Sequence, residues 1–253
     1  MEQPAWGTGT LTIPQAAQPG GHAGGMLELC GVSYQPATAV RPVLDGVNLQ
    51  LAPGQLGLVA GRSGSGKTTL LEVITGLAEP ERGRISWNGE VLSSRQRRWL
   101  CGLVFQFPER HFLGLSVGQE LRLGQRRQPT ERVEQILELV GLAGLSPQQP
   151  PEQLSGGQQR RLALAVQLLR DPPVLLLDEP TAGLDWAVRA DVVDLLAALA
   201  RERAVLVVTH EPELFEPLAQ RSWQLDRGLL TPRHGQQQQE QDPYDAPIAS
   251  RPA

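Results

Sequence analysis

The stretch Gly61-Arg62-Ser63-Gly64-Ser65-Gly66-Lys67-Thr68-Thr69 fits the phosphate-binding loop pattern G-x-x-x-x-G-K-[ST]. A short apolar strand is predicted immediately before it, and a helix is predicted to follow from Leu70. Glycines allow the backbone to wrap closely around a polyphosphate with its N–H groups pointing inward. We therefore expect Lys67 to reach the β- and γ-phosphates of a nucleotide and the Thr68 hydroxyl to ligate Mg²⁺. The alternative is a Gly- and Ser-rich turn between a strand and a helix.

Lys67 is the only lysine in the chain, because 22 of the 23 Lys and Arg residues are arginine. A compact ammonium fits inside a tight loop, where a planar guanidinium would replace it poorly. The single exception to the use of arginine therefore favours a phosphate-binding function for the loop over a simple turn.

The composition of the 253 residues limits the possible functions. A content of 40% hydrophobic and 20% charged residues is typical of soluble globular proteins, and no apolar run reaches the 18 residues of a membrane-spanning helix. A net charge of −4 argues against general nucleic-acid binding, so no nucleic-acid partner is expected. The two cysteines, Cys30 and Cys101, predict reduced thiols in a cytoplasmic compartment.

The chain divides into three parts. Residues 1–25 have scattered prolines and many Gly and Ala, which predicts a flexible extension that resembles neither a signal peptide nor a transit peptide. Residues 26–230 form the predicted domain. Within it, prolines separate short helical pieces over residues 107–153, so we expect a helical insertion there. Residues 231–253 are Gln-rich with scattered prolines, which predicts a disordered tail.

Strands and helices alternate over much of the predicted domain. Strands are expected around residues 27–34, 43–51 and 56–60, and the turn Trp87-Asn88-Gly89-Glu90 predicts a hairpin. The continuous apolar runs at residues 174–177 and 204–208 are typical of parallel strands covered on both faces, and a crossover helix is predicted between them. The pattern predicts an α/β fold with helices on both sides of a parallel sheet.

Polar residues follow three of these strands. Asp178 and Glu179 end an apolar strand, where ligands bind in open parallel sheets. Asp178 is placed to hold Mg²⁺ and Glu179 to deprotonate an attacking water, although an Asp-Glu pair can also cap a helix. His210 follows the next strand and could contact a γ-phosphate. Gln106 ends a further short strand, predicted at Leu103-Val104-Phe105-Gln106, and could reach the metal or the water. Both could equally be ordinary polar residues at strand ends.

A further motif, Leu154-Ser155-Gly156-Gly157-Gln158, begins a predicted helix with a capping box. With the phosphate loop, Asp178-Glu179-Pro180, Ala182-Gly183-Leu184-Asp185 and Thr209-His210 in this order, it resembles the ATP-binding cassette (ABC) ATPases over residues 26–230. The resemblance implies an α/β P-loop NTPase core with a mostly parallel sheet, an N-terminal antiparallel β subdomain and an inserted α-helical subdomain. It also implies ATP and Mg²⁺ as cofactors, and ATP hydrolysis that requires a dimer.

The same resemblance implies roles for individual residues. Glu179, His210 and Gln106 are the implied catalytic residues, His210 being the switch histidine, and Thr68, Gln106 and Asp178 the metal ligands. Tyr34 is expected to stack on adenine. The helix N-terminus at Ser155 would offer its N–H groups to ATP held by a second subunit, and Asp185 would lie in the loop that crosses to this partner. The implied nucleotide-binding set is Tyr34, Gly61, Arg62, Ser63, Gly64, Ser65, Gly66, Lys67, Thr68, Thr69, Ser155, Gly156, Gly157, Gln158 and Asp185.

The segment Phe105–Arg110, with Phe112, resembles cassettes of energy-coupling-factor and cobalt-type importers and their plastid-type relatives. This implies a peripheral subunit on the cytoplasmic face of a membrane, with two partners: a second cassette, identical or not, and a transmembrane transporter subunit. Phe107 and Phe112 would contact a coupling helix of that subunit, or belong to the core of the helical subdomain. The alternative function is a soluble ABC ATPase that drives assembly or remodelling, as in iron–sulfur scaffolds.

Overall fold

A computed structural model of the chain describes residues 24–124 and 128–233. The flexible extension predicted for residues 1–25 and the tail predicted for 231–253 lie largely outside the described residues. The start of the predicted tail is wrong, because the last strand, Leu229–Pro232, continues through Thr231 and Pro232. These two residues pair with Gln224 and Trp223 of the preceding strand, so backbone pairing extends past the last apolar residue. The division into domains otherwise stays a prediction.

The regular structure of the described residues consists of strands, α-helices and three single turns of 3₁₀ helix. The strands are β1 (Leu27–Tyr34), β2 (Leu44–Leu51), β3 (Leu56–Ala60), β4 (Arg82–Trp87), β5 (Glu90–Val91), β6 (Cys101–Val104), β7 (Val174–Asp178), β8 (Ala204–Thr209), β9 (Arg221–Asp226) and β10 (Leu229–Pro232). The α-helices are α1 (Lys67–Thr75), α2 (Ser94–Leu100), α3 (Val117–Glu120), α4 (Thr130–Leu139), α5 (Gly156–Leu168) and α6 (Trp186–Ala200). The 3₁₀ turns are Pro108–His111, Pro151–Gln153 and Pro212–Leu214.

The strands form two sheets, which confirms the predicted fold class. The first sheet has four antiparallel strands in the order β2-β1-β4-β5. The second has six strands in the order β10-β9-β3-β8-β7-β6, and all of its pairings are parallel except that of β10 with β9. The hairpin predicted from the Asn-Gly turn joins β4 to β5, where Trp87 pairs with Glu90.

Helices and the antiparallel sheet cover the central strands of the six-stranded sheet on both faces. Leu58 and Leu175 point into a cluster that includes residues of α5 and α6. Val59 and Leu176 point into a second cluster, which includes residues of α1, β1 and β2. Because both faces are covered, every residue of β3, β7 and β8 is buried, and this explains the continuous apolar runs in the sequence.

Parallel pairing brings the ends of these strands to one edge of the sheet. Ala60 at the end of β3 pairs with Thr209 at the end of β8, and Asp178 at the end of β7 pairs with Val208. The phosphate loop, the two carboxylates and His210 therefore share this edge. Strand β6 pairs with β7 and ends at Val104, so Gln106 lies two residues beyond the strand that was predicted to end in it.

Two helices begin at signals in the local sequence. Helix α4 begins after Pro129 and buries Ile136, Leu137 and the following Val140. Helix α5 begins with the predicted capping box of Ser155. Helix α2 and strands β9 and β10 were not predicted. In the part of the chain that the structure describes, every helix is too short or too polar to cross a membrane, and both cysteines are free thiols.

Candidate functional site

The phosphate loop connects β3 to α1 through six residues that include three glycines. Gly64 and Gly66 have φ angles of 77° and 103°, a backbone conformation in which a side chain is strained. A Cβ atom on Gly61 would lie 2.5 Å from the Ser65 hydroxyl oxygen and 2.7 Å from the Leu225 carbonyl oxygen. Backbone conformation therefore requires two of the glycines, and close packing requires the third.

Lys67 is the first residue of α1, and its side chain is 7% exposed. Its ammonium donates hydrogen bonds to the carbonyl oxygens of Gly61 at 2.8 Å and Arg62 at 3.1 Å. It also lies 3.4 Å from a carboxylate oxygen of Glu179. The positive charge is thus held inside the curve of the loop, where the phosphates of a nucleotide would be bound.

Thr68 and Asp178 converge from elements 110 residues apart in the chain, since the Thr68 hydroxyl donates a 2.6 Å hydrogen bond to the Asp178 carboxylate. Burial is the main cause that raises the pKa of the Asp178 carboxyl above its ordinary value, and the nearby Glu179 charge adds to the rise. A bound divalent cation would favour the ionised carboxylate. The two oxygen ligands fit Mg²⁺, which takes one or two carboxylates and completes its coordination with phosphate oxygens and water.

Glu179 is almost fully buried and is held at three points besides its contact with Lys67. The Thr209 hydroxyl and the His210 backbone N–H donate to the same carboxylate oxygen, at 2.8 and 3.2 Å, and the His210 Nδ1 lies 2.8 Å from it. Burial acts to raise the pKa of Glu179, but hydrogen bonds from His210 and Thr209, helped by the charge of Lys67, outweigh it and lower the pKa. The carboxylate is therefore ionised and fixed in orientation.

These groups surround one open cleft with a volume of about 390 Å³. The residues that line it are Val43, Ser63, Gly64, Gly66, Lys67, Thr68, Thr69, Gln106, Asp178, Glu179 and His210. All of them except Val43 were singled out from the sequence. Tyr34 is half-buried and adjoins the cleft, because its carbonyl oxygen accepts a 2.9 Å hydrogen bond from the N–H of Val43.

Two arginines that sequence reasoning missed connect the loops around the cleft. Arg160 of α5 is buried and donates to the carbonyl oxygens of Gln106 and Ala182, both at 2.9 Å. Arg189 of α6 donates to the Leu184 carbonyl oxygen at 2.9 Å and pairs with Glu211 at 3.0 Å. Nothing in the local pattern distinguishes them from surface arginines, since three of their four partners are backbone carbonyl groups.

The structure does not bring the motif at Ser155 or the residue Asp185 to this cleft. Ser155 forms its capping box with Gln158, and both are exposed together with Gly156. Gly157 lies beside α6, where an added Cβ would be 3.1 Å from Val188. Asp185 is exposed at the N-terminus of the same helix. These residues therefore form an outward-facing surface near the starts of α5 and α6.

The chain thus has a parallel sheet with a glycine-rich loop at its carboxyl edge, a buried lysine and two carboxylates at a strand end. These features define a nucleotide-binding domain of the phosphate-loop class. The profile of the family described as "ABC transporter" matches residues 44–182. The chain belongs to the ABC transporter family.

The relatives agree with this assignment. ABC transporter I family member 11, chloroplastic, of Arabidopsis thaliana is 39% identical over 222 residues, which are 80% of this chain and 78% of that protein. The energy-coupling factor transporter ATP-binding protein EcfA2 of Symbiobacterium thermophilum is 38% identical over 210 residues, which are 78% of this chain and 73% of that protein. The predicted resemblance to energy-coupling-factor and plastid-type proteins is confirmed.

A solved structure shares the fold. The structure of cbiO1 from Clostridium perfringens, described as part of the ABC transporter complex cbiONQ, superposes with a TM-score of 0.73 at 27% identity, covering 81% of this chain and 86% of that one. EcfA2 is named as a transporter ATP-binding protein and cbiO1 as part of an ABC transporter complex, which favours a transporter subunit over the soluble alternative.

Proposed function

We propose that this chain is the ATP-binding and ATP-hydrolysing subunit of an ABC-type membrane transporter. The observation that carries the proposal is the cleft, where the Lys67 ammonium, the Thr68–Asp178 pair and the ionised Glu179 carboxylate all lie within reach of one bound nucleotide. Each of these groups has the chemistry that phosphoryl transfer to water requires, namely charge compensation, metal ligation and a base.

Residues of the loop bind the phosphates in this proposal. Backbone N–H groups of residues 61–69 and the N-terminus of α1 contact the β- and γ-phosphates, and Lys67 exchanges its carbonyl partners for phosphate oxygens. Thr68, Asp178 and Gln106 hold Mg²⁺, which neutralises phosphate charge when bound. Tyr34 stacks on the adenine.

Glu179 is the proposed general base. Thr209 and His210 hold its carboxylate at 2.8 Å contacts, so the oxygen that faces the cleft keeps a defined position toward an attacking water. His210 is 49% exposed on its other side, which leaves the imidazole able to contact a γ-phosphate. The lowered pKa of Glu179 keeps the carboxylate ionised at neutral pH, which is the form that a general base must have.

Hydrolysis is proposed to require a second cassette. Ser155, Gly156 and Gln158 are exposed and lie apart from their own chain's cleft, which supports their action on ATP bound by a partner. The capped start of α5 presents backbone N–H groups suited to a phosphate. Asp185, also exposed, is placed at the same surface and would meet the partner there.

The transport path is proposed to come from a transmembrane subunit, with this chain at the cytoplasmic face of the membrane. Phe107 is 42% exposed and is available for a coupling helix of that subunit. Phe112 is half-buried and packs against the main hydrophobic cluster, which supports the alternative of a core role for this residue. Arg110 lies over the Phe107 ring at 4.6 Å and supports the exposed aromatic side chain.

Phosphate release from MgATP tests the proposal, when it is measured on the purified chain alone and on membranes from cells that express it. We expect the chain to hydrolyse ATP and to be recovered in a complex with an integral membrane protein. A chain that binds ATP but is recovered in the soluble fraction with a scaffold protein would contradict the transporter function.

Modification of the single lysine provides a second test. An amine-reactive reagent should label only Lys67 and the terminal α-amino group, and saturating MgATP should protect Lys67 because phosphate oxygens engage its ammonium. Peptide mass spectrometry measures both sites, and labelling of the α-amino group serves as the internal control. Equal Lys67 labelling with and without MgATP would place the nucleotide elsewhere.

A further inference from the structure

The turn between β9 and β10 packs against the segment that forms one wall of the cleft. The N–H of Asp45 donates a 2.9 Å hydrogen bond to the Gly228 carbonyl oxygen in this turn. A Cβ atom on Gly228 would lie 3.0 Å from the Val43 carbonyl oxygen and 3.3 Å from its carbonyl carbon. Val43 itself lines the cleft. A turn far along the chain thus contacts the backbone of a cleft residue.

Val43 meets the phosphate loop equally closely. A Cβ atom on Gly66 would lie 3.0 Å from the same Val43 carbonyl oxygen and 3.1 Å from a methyl carbon of its side chain. Gly66 and Gly228 have left-handed φ angles of 103° and 83°. The Val43 carbonyl group therefore lies close to two glycines, one in the phosphate loop and one in the β9–β10 turn.

The same hairpin also supports the start of the loop. A Cβ atom on Gly61 would lie 2.7 Å from the carbonyl oxygen of Leu225, a buried residue of β9. Strand β9 pairs with β3 along Gly57–Ala60, directly before the loop. The hairpin therefore contacts the backbone at two places, at Gly61 where the phosphate loop begins and at Val43, which lines the cleft.

We propose that the β9–β10 hairpin positions the nucleotide cleft, with Gly228 setting the distance between Val43 and the phosphate loop. The inference rests on the proposed ATP binding and adds a positioning element to it. Gly228 makes no contact with the cleft itself, so it acts through Val43. A side chain at position 228 would displace the Val43 backbone, which also lies close to Gly66, and so change the shape of the cleft where the nucleotide is bound.

A matched glycine exists in the β4–β5 hairpin. Asn88 and Gly89 have φ angles of 54° and 77°, close to the 48° and 83° of Arg227 and Gly228, so both turns have positive φ at both central residues. An added Cβ on Gly89 has nothing within 4 Å, in contrast to that on Gly228. Gly89→Ala therefore introduces the same backbone strain without the contact on Val43.

The test compares Gly228→Ala and Gly89→Ala for the Kd of ATP, the KM, the kcat and the melting temperature. A displacement of Val43 by a few tenths of an ångström should raise the Kd and the KM about fivefold in Gly228→Ala, a loss of about 1 kcal/mol of binding free energy. The kcat at saturating ATP should stay close to the wild-type value. In Gly89→Ala only the melting temperature should fall.

Equal ATP affinities in the two variants, alongside normal binding by the wild-type protein, would overturn the positioning role alone. Wild-type protein that binds no ATP would overturn the proposed function as well. If Gly228→Ala does not fold, the pair Gly228→Asn and Gly89→Asn replaces it, because asparagine adopts positive φ more readily while still adding a Cβ. The same difference in Kd is expected from this pair.

Discussion

Lys67→Ala is expected to abolish ATP binding and to lower ATP turnover by at least about 100-fold. The ammonium lies inside the loop with two carbonyl oxygens at 2.8 and 3.1 Å, and no other lysine exists to replace it. Without it the charge of the β- and γ-phosphates is left uncompensated at a buried position. Phosphate release and equilibrium nucleotide binding measure the two effects.

Two further variants at this position separate the effect of the Lys67 charge on ATP binding from the effect of its side-chain packing. Lys67→Met keeps a buried, mostly aliphatic side chain and removes the ammonium. It should lose ATP binding as fully as Lys67→Ala, although its side chain fills the space inside the loop better than alanine does. Lys67→Arg keeps the charge but brings a planar guanidinium into a loop that closes on Gly61 and Arg62, and it should also bind ATP poorly. Wild-type turnover in Lys67→Ala would count against the site.

Glu179→Gln is expected to keep ATP binding and to lower hydrolysis by about 100- to 10,000-fold, the contribution of a general base. Glutamine has nearly the same shape, and its amide oxygen can still accept from the Thr209 hydroxyl and the His210 N–H. It cannot take a proton from water. ATP should then remain bound between two cassettes, and light scattering with MgATP should detect a stable dimer.

Glu72→Gln provides the matched control. Glu72 lies on α1, and its pKa is raised mainly by burial and also by the charge of Asp178, so it is a partly buried carboxyl close to the site. It is absent from the residues that line the cleft. The same chemical change there should leave turnover close to that of the wild type. A Glu179→Gln protein that stays monomeric with MgATP would remove Glu179 from the role of base.

The roles of residues whose contacts are made with near neighbours in the chain could be predicted from the sequence. Lys67 reaches carbonyl groups five and six residues before it, and Ser155 caps a helix with Gln158 three residues later. Asp178 was also predictable despite the 110 residues that separate it from Thr68. An apolar strand that ends in a carboxylate places that group at the binding edge of a parallel sheet, and the order of the strands does not change the edge.

The hairpin of β9 and β10 was missed although it carried a short alternating pattern. Trp223 and Leu225 are buried and alternate with half-buried Ser222 and Gln224, which is the period of a strand. The pattern covers only a few residues next to a polar segment. Its pairing with the free edge of β3 supplies the backbone partners that make it a strand, and no local signal indicates that edge.

The residues alone specified the α/β class, the family motifs and the chemistry of the cleft, because side-chain type and spacing carry that information. Tertiary packing placed Arg160 between the Gln106 and Ala182 carbonyl groups, and it placed Gly228 against Val43. These contacts are made to backbone atoms, which are the same at every position of the chain. A sequence pattern therefore cannot indicate which backbone group a distant residue will meet.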